Sequence, residues 1–188
     1  MKEYKLPIGC DVPETIILAD GDFPSHPLAL EWLRQCPYVV CCDGAANTYI
    51  RSGRMPEAIV GDGDSLLPDI KERYASLIHS EAEQETNDLS KAFRFCLSQE
   101  RKRITIMGAT GKREDHTIGN VSLLADYMEQ AEVSMMTDYG IFVPIREDSM
   151  FESYIGQQIS VFNMNSTALS AEGLAYPLSV FTNWWKGL

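Results

Sequence analysis

Residues 38–65 of the 188-residue chain read YVVCCDGAANTYIRSGRMPEAIVGDGDS. The apolar run YVVCC predicts a buried strand, and residues 45–52 have a helical pattern that Gly53 ends. A second apolar run at residues 58–60 then leads into GDGDS. Strand, helix and strand in this order predict two parallel strands joined by a crossover helix.

The same alternation continues on both sides of this stretch. Leu89, Ala92, Phe93 and Cys96 lie at helical spacing, and Asn87 precedes them as a candidate N-cap. The sequence therefore predicts an α/β fold, with a parallel sheet flanked by helices and ligands bound beyond the carboxyl ends of the strands. The other predicted segments are strands at 16–19, 77–79 and 103–107 and helices at 26–35, 67–74 and 116–128.

The pattern changes near residue 132. From there the apolar segments are short and separated by turns, as in VSMMT, IFVPI, MFESYI, QISVF and TALSA, and helical spacing ends. This pattern indicates a small antiparallel β-domain. We therefore expect an α/β domain over residues 1–130 and a smaller β-domain over residues 131–188.

Charge limits the partners that the chain can bind. The formal net charge is -11, and no run of Lys or Arg offsets it, so nucleic acid is not an expected partner. An anionic nucleotide such as ATP would need metal ions and a few local cations to screen its phosphates.

The cysteines and histidines indicate the redox compartment of the protein and the kind of metal site that it can form. The chain has five Cys and no C-x-x-C, and Cys41 and Cys42 lie side by side in an apolar run, which is typical of free thiols in a reducing cytosol. The three His are far apart in sequence, which disfavours zinc. The first residues, MKEYKLPIGCDVPE, do not resemble a signal peptide, and no apolar stretch is long enough for a membrane span. We therefore expect a cytoplasmic protein.

Two predicted strand ends carry aspartates. Asp43 follows the strand YVVCC and precedes small residues that would let a ligand approach the backbone, although an Asp helix cap is an equal alternative. Asp62 and Asp64 lie at i and i+2 in GDGDS. In an extended segment their carboxylates would point the same way, and a cation such as Mg²⁺ would relieve their repulsion. The alternative is an Asx-rich surface turn.

Two further loops combine acids with cations. Asp88 and Lys91 share a face of a helix's first turn, where acids also complement the helix dipole without any function. The loop GATGKREDH is rich in glycine and offers backbone N–H groups and the Arg113 guanidinium to a phosphate. His116 and Asn120 lie one turn apart on the helix that follows, and a histidine at a helix start is the alternative for His116. This loop lacks the spacing of a Walker motif.

In order, DGAAN, GDGDS, EQETNDLSKA and GATGKREDHTIGN resemble the motif set of the thiamine pyrophosphokinase family, with a weaker similarity in GLAYPL at residues 173–178. The chain departs from the family pattern at four loop positions and ends at Leu188, where family members continue with a Ser-Asn-Glu segment. The departures are Ala45 and Lys112 in place of Gly, Glu83 in place of Asp and Asn87 in place of Thr.

This resemblance implies an α/β nucleotide-binding domain, a C-terminal β-sandwich and a homodimer with thiamine at its interface. It implies an enzyme that moves pyrophosphate from ATP to the thiamine hydroxyl; a different alcohol substrate, or a sensor without catalysis, remains the alternative. The resemblance assigns Mg²⁺ and the reacting phosphates to Asp43, Asp62, Asp64 and Asp88. It assigns the binding of the nucleotide to Asn47, Lys91, Arg113, Asp115, His116 and Asn120. It assigns the binding of thiamine to Gln84, Asp88, Trp184 and Trp185. For the two Trp residues, the alternative is that they pack within the β-domain or at the dimer interface.

Overall fold

The structure is a computed structural model that describes residues 1–7, 12–80, 86–164, 169–176 and 178. Its strands and helices alternate over most of these residues. The helices are α1 (Pro27–Gln35), α2 (Ala45–Arg51), α3 (Pro68–Arg73), α4 (Asp88–Ser98) and α5 (Glu114–Tyr127), with a short 3₁₀ turn at Ala75–Leu77. The strands are β1 (Lys2–Tyr4), β2 (Thr15–Leu18), β3 (Val39–Cys42), β4 (Ala58–Gly61), β5 (Ile78–Ser80), β6 (Arg103–Met107), β7 (Glu132–Met136), β8 (Ile141–Phe142) and β9 (Ser149–Phe151).

The larger sheet has the strand order β5-β4-β3-β2-β6-β7-β8. All neighbours in it are parallel except β7 and β8, which are antiparallel. From β2 the chain builds outward through β3, β4 and β5, and it then returns to place β6 on the other side of β2. This reversal is a topological switch point, and in α/β sheets ligands bind in the crevice beyond the carboxyl ends of the strands near such a point.

Helices cover both faces of this sheet. Buried residues of β2 and β3 alternate between the two faces, so Ile17 packs with Phe93 of α4 while Ile16 packs with Leu33 of α1. The rings of Phe93 and Tyr127 stack with centroids 3.9 Å apart, which joins α4 to α5. The predicted α/β organisation of the first two thirds of the chain is therefore confirmed.

Several helix boundaries follow from local chemistry. The side chain of Asn87 accepts a hydrogen bond from the N–H of Ser90 at 2.9 Å, as predicted for the N-cap of α4. Pro27 begins α1, where its missing N–H costs nothing, and Pro37 follows the end of that helix.

None of the helices in the described ranges has the length and apolar character that crossing a membrane requires.

The structure differs from expectation after α5. VSMMT and IFVPI were expected in the small antiparallel domain, but β7 pairs parallel with β6, and β8 extends the same sheet. The physical reason is that α5 is a crossover helix, and a crossover helix after β6 leads to another parallel strand of the same sheet. β9 pairs in parallel with β1 in a separate two-stranded sheet. The exact border between two domains stays a prediction.

Candidate active site

Asp43 follows β3 directly, at the carboxyl edge of the sheet. Its backbone has a φ of 33°, a left-handed conformation that Asp tolerates better than most residues. The residue is only 3% exposed, and burial raises the pKa of its carboxyl group. Its Oδ2 accepts a hydrogen bond from the N–H of Ser65 at 3.1 Å, whereas its buried Oδ1 has no partner. Such an oxygen is suited to a cation that the protein binds.

Gly61 leaves room for the side chain of Asp43, because it has no side chain of its own. It ends β4 with a φ of 155°, and a Cβ added there would lie 2.8 Å from the Cβ of Asp43. No side chain fits at this position without moving the aspartate. The glycine that precedes Asp62 therefore brings the β3 and β4 loops together.

Three carboxylates meet at this point. One oxygen each from Asp43, Asp62 and Asp64 lies within 4.8 Å of the others, and we call these residues the acid trio. Within the loop, Asp62 Oδ1 accepts a hydrogen bond from the Asp64 N–H at 3.1 Å. Carboxylates this close repel one another unless a cation lies between them, and oxygen ligands are those that Mg²⁺ prefers. The predicted convergence of these three acids is therefore present.

Asn47 holds the GDGDS loop. Its Nδ2 donates to the carbonyl of Ser65 at 2.8 Å, and its Oδ1 accepts from the N–H of Leu67 at 3.0 Å. Lys71 adds a third attachment by donating to the carbonyl of Gly63 at 2.7 Å. The structure thus gives Asn47 a positioning contact, and its predicted contact with a nucleotide stays a prediction.

Asp88 and Lys91 lie on the first turn of α4, next to the trio. Lys91 Nζ is 3.2 Å from Asp88 Oδ1, and the lysine side chain is 4% exposed while that of the aspartate is 36% exposed. The Cys42 Sγ is 3.7 Å from the carbonyl oxygen of Asp88, so this turn lies against the end of β3. Asp88 lies outside the acid trio, but its charge contributes to the raised pKa of Asp43.

Asn120 connects two of the loops. This buried side chain donates to the carbonyl of Ala109 at 2.9 Å and accepts from Asn87 Nδ2 at 3.2 Å. Because Asn87 also caps α4, these amides join the start of that helix to the β6–α5 loop. Asn120 therefore lies under the crevice, as a link between loops.

The side chains at the junction of the β6–α5 loop with α5 are exposed. Arg113 donates from Nε and Nη2 to the two carboxylate oxygens of Asp115 at 3.1 and 2.5 Å, and these hydrogen bonds lower the pKa of Asp115 to about 2. The two side chains are 64% and 65% exposed, and His116 is exposed beside them. The structure therefore pairs Arg113 with its neighbour and does not bring it to the acid trio.

Two acids at this edge were not among the predicted site residues. Asp20 and Asp22 follow β2, and Lys112 donates to Asp20 Oδ1 at 3.0 Å. A Cβ added to Gly44 would lie 2.5 Å from Asp20 Oδ2, and one added to Gly111 would lie 2.0 Å from Asp22 Oδ2. The signal was available, because the sequence DGD comes directly after a predicted strand, as GDGDS does.

Three predicted substrate residues, Gln84, Trp184 and Trp185, lie outside the described residues. The other predicted residues follow the carboxyl ends of β3, β4 and β6 or lie on α4 and α5. Carboxylates for a divalent cation, with lysine and arginine on neighbouring loops, suit chemistry on a metal-bound polyphosphate.

Comparison with known proteins agrees with this chemistry. A family model described as thiamin pyrophosphokinase, catalytic domain, matches residues 29–136, and one described as its substrate-binding domain matches residues 140–188. Thiamine pyrophosphokinase 1 of Oryza sativa subsp. japonica is 30% identical, over 55% of this chain and 49% of its own length. Thiamine pyrophosphokinase of Bacillus subtilis (strain 168) is 34% identical, over 44% of this chain and 40% of its own length. The chain thus spans about half the length of the curated relatives it matches.

Solved structures show the same fold. Yeast thiamin pyrophosphokinase superposes with a TM-score of 0.58 at 19% identity, over 72% of this chain and 63% of that one. The enzyme of Geobacillus thermodenitrificans gives a TM-score of 0.54 at 26% identity, over 65% and 58% of the two chains. The predicted fold class, an α/β sheet flanked by helices with a smaller C-terminal β domain, is confirmed by these matches.

Proposed function

The chain belongs to the thiamin pyrophosphokinase family, and we propose that it transfers pyrophosphate from ATP to the hydroxyl of thiamine, giving thiamine diphosphate and AMP. The observation that carries this proposal is the acid trio, in which a buried carboxylate oxygen of Asp43 lacks a partner beside two more carboxylates. A divalent cation would relieve the repulsion among these carboxylates, and a polyphosphate substrate would bring one with it.

In this proposal Asp43, Asp62 and Asp64 hold Mg²⁺, which the donor set and the unpartnered Oδ1 fit. When bound, the ion would offset negative charge that develops on the phosphates. The trio itself is pre-positioned, because Asn47 donates to the Ser65 carbonyl and the Ser65 N–H donates to the Asp43 carboxylate. Positioning and charge neutralisation are the main sources of rate enhancement in phosphoryl transfer.

Asp88 is the proposed acceptor of the thiamine proton. Its side chain is 36% exposed, and its ion pair with buried Lys91 restrains the carboxylate. The hydroxyl oxygen would form a bond to the β-phosphorus as the bond to the α,β-bridging oxygen breaks, AMP would leave, and the hydroxyl proton would pass to Asp88. Lys91, Arg113, Asp115, His116 and Asn120 complete the proposed nucleotide site.

Thiamine would bind with help from the C-terminal part of the chain, in a homodimer. The family model for residues 140–188 is described as a substrate-binding domain. This part exposes large apolar side chains, among them Tyr154 and Ile155, which a second copy could cover. Gln84, Trp184 and Trp185 remain proposed thiamine contacts. A cytoplasmic location is likewise proposed, supported by the buried free thiols of Cys41, Cys42 and Cys96.

The test is a product assay with purified protein, ATP, Mg²⁺ and thiamine, followed by chromatography that separates AMP from ADP. We expect AMP and thiamine diphosphate in equal amounts, and neither product when thiamine or Mg²⁺ is omitted. ADP as the product would contradict pyrophosphate transfer and favour a different phosphotransferase. Nucleotide binding without turnover would contradict an enzyme and favour a sensor.

Asp62→Asn supplies the matched variant for this assay. It removes one charge from the trio, and we expect it to abolish turnover without loss of fold. Asp69→Asn is the control, because Asp69 is an exposed aspartate at the start of α3, outside the trio. Its activity should stay within about twofold of wild type, as is usual for surface substitutions. Equal activity of the Asp62 variant and wild type would remove Asp62 from the metal site.

A further inference from the structure

The β6–α5 loop is attached through its backbone to the loop that follows β2. The N–H of Gly21 donates to the carbonyl of Gly108 at 2.6 Å, and the N–H of Asp22 donates to the carbonyl of Thr110 at 2.8 Å. The approach is so close that a Cβ on Gly21 would lie 2.3 Å from the oxygen of Thr110. These contacts fix the backbone just before Lys112.

Lys112 has a backbone conformation that favours glycine. Its φ is 54°, in the left-handed region that glycine adopts most readily. A non-glycine residue with this φ carries a conformational cost. Any functional reason for a lysine at this position must therefore lie in the contacts of its side chain.

The side chain of Lys112 reaches across the crevice rim to Asp20. Its Nζ is 2.9 Å from the carbonyl oxygen of Asp20 and 3.0 Å from Oδ1. Asp20 in turn lies against Gly44, the neighbour of Asp43. The ammonium group therefore lies beside the loops that carry the acid trio.

This ion pair is able to exchange partners. The Lys112 and Asp20 side chains are 53% and 47% exposed, and ion pairs at such exposure contribute little free energy. Lys91, by contrast, is buried against Asp88. In a chain of net charge -11, an exchangeable cation on this rim is suited to an anionic ligand.

We propose that Lys112 binds the polyphosphate of the nucleotide by exchanging its ion pair with Asp20 for one with the phosphates. This inference rests on the proposed function only in taking ATP as the ligand. It makes Lys112 a residue that distinguishes ATP from AMP, since a longer phosphate chain brings more negative charge to the rim. Asp20 then acts as the resting partner that holds the ammonium near the crevice.

The test is calorimetric titration of the protein with ATP and with AMP, each in the presence of Mg²⁺. Lys112→Met keeps a side chain of similar length and the same backbone cost but removes the charge. We expect it to raise the Kd for ATP by about tenfold, the effect of one lost phosphate contact, and to change the Kd for AMP less than threefold. Lys102→Met is the control, because Lys102 is exposed and precedes β6 at the opposite end of that strand. An unchanged Kd for ATP in Lys112→Met would overturn the proposal.

Asp20→Asn distinguishes direct binding of the phosphates by Lys112 from a role in which Lys112 only neutralises the charge of Asp20. If Lys112 contacts the phosphates, Asp20→Asn should tighten ATP binding by about twofold to fivefold, and Lys112→Met should still weaken it in the Asp20→Asn background. If Lys112 only neutralises Asp20, Lys112→Met will have no effect in that background, and the proposal is wrong.

Lys112→Gly tests the backbone cost. It should bind ATP as weakly as Lys112→Met but unfold at a higher temperature, because glycine adopts this φ freely. If wild type binds ATP but produces no AMP, the proposed reaction is refuted. The binding comparisons between wild type and the Lys112 variants would still decide whether Lys112 contacts the phosphates. Wild type that binds no ATP would refute both.

Discussion

Two regions of the same crevice are built in different ways. Around the β3 and β4 loops, Asp43 is buried, Ser65 hydrogen-bonds to it, and Asn47 holds the loop from both sides. Where the β6–α5 loop enters α5, Arg113 and Asp115 are exposed and form an ion pair with each other. The first region is rigid before any ligand arrives, whereas the second has cations whose present partners are easily replaced.

This difference suits ligands of different size. A divalent cation is small and requires its oxygen ligands at fixed positions, so its site must be formed in advance. A nucleotide is large and flexible, and exposed side chains can close on its phosphates after it binds. Substitutions in the rigid region should therefore reduce turnover most, and substitutions in the exposed region should chiefly weaken nucleotide binding.

Asp43→Asn should have the largest effect. The amide keeps the shape of the side chain and tolerates the φ of 33°, but it removes the charge that the cation needs. We expect kcat to fall by roughly 10³-fold or more, because several kcal/mol of charge stabilisation correspond to about three powers of ten. The measurement is thiamine-dependent AMP release over a Mg²⁺ titration.

The fold of this variant should remain intact, because a buried neutral amide avoids the desolvation that raises the pKa of Asp43. Thermal unfolding without divalent ions serves as the control and should give a melting temperature no lower than that of wild type. Retention of most activity by a folded Asp43→Asn would show that the rigid region is not the metal site.

Asn47→Ala tests whether rigidity itself matters, since it removes both hydrogen bonds to the loop and no charge. We expect a loss of about 1–3 kcal/mol in the free energy of unfolding, from two side-chain hydrogen bonds. Activity should fall by about 10–100-fold and recover in part at high Mg²⁺, since a looser trio binds the ion less tightly.

Thr48→Ala is the matched control for Asn47→Ala, because Thr48 is the exposed neighbour on the same helix. It should change neither stability nor activity appreciably. If Asn47→Ala lowered stability but left the Mg²⁺ dependence unchanged, the loop contacts would be structural only.

The sequence predicted the rigid region better than the exposed one. Asp43, Asp62 and Asp64 could be placed together because the carboxyl ends of neighbouring parallel strands meet at one edge. The unpartnered Oδ1 of Asp43 depends on packing by Gly61, and it could not be inferred from spacing.

The pairing of Arg113 with Asp115 was equally hidden, because i and i+2 contacts at a helix start depend on local backbone geometry. Asp20 was overlooked although its DGD follows a strand. The placement of β7 was missed because a change in hydrophobic pattern was interpreted as a change of domain, whereas the crossover helix before β7 had already determined its position.

Arg113→Lys tests the exposed region. Lysine keeps the charge but loses the planar two-point contact with phosphate, so we expect the KM for ATP to rise by about tenfold with little change in kcat. The melting temperature should not change, because the present pair with Asp115 is exposed. Steady-state kinetics with ATP as the varied substrate gives the answer. A fall in kcat as large as that of Asp43→Asn would contradict the division between the two regions.

The smallest expected effect is a pH dependence that only the buried region should show. Burial raises the pKa of Asp43 above its ordinary value of 3.8, so folding disfavours its charged form. Its contribution to stability is therefore full at pH values below 3.8 and is lost as the pH rises through the higher pKa of the folded state. Asp115, whose pKa is lowered, contributes with the opposite sign, so wild type alone cannot isolate Asp43.

The informative quantity is the difference in melting temperature between wild type and Asp43→Asn, followed from pH 3 to 7 without divalent ions. As the pH rises, the melting temperature of wild type should fall by about 1–3 °C relative to that of Asp43→Asn. Mg²⁺ should reverse this trend, because the cation stabilises the carboxylate. A difference that is independent of pH would mean that the Asp43 carboxylate is solvated like the exposed acids, and the contrast between the two regions would then lose its electrostatic basis.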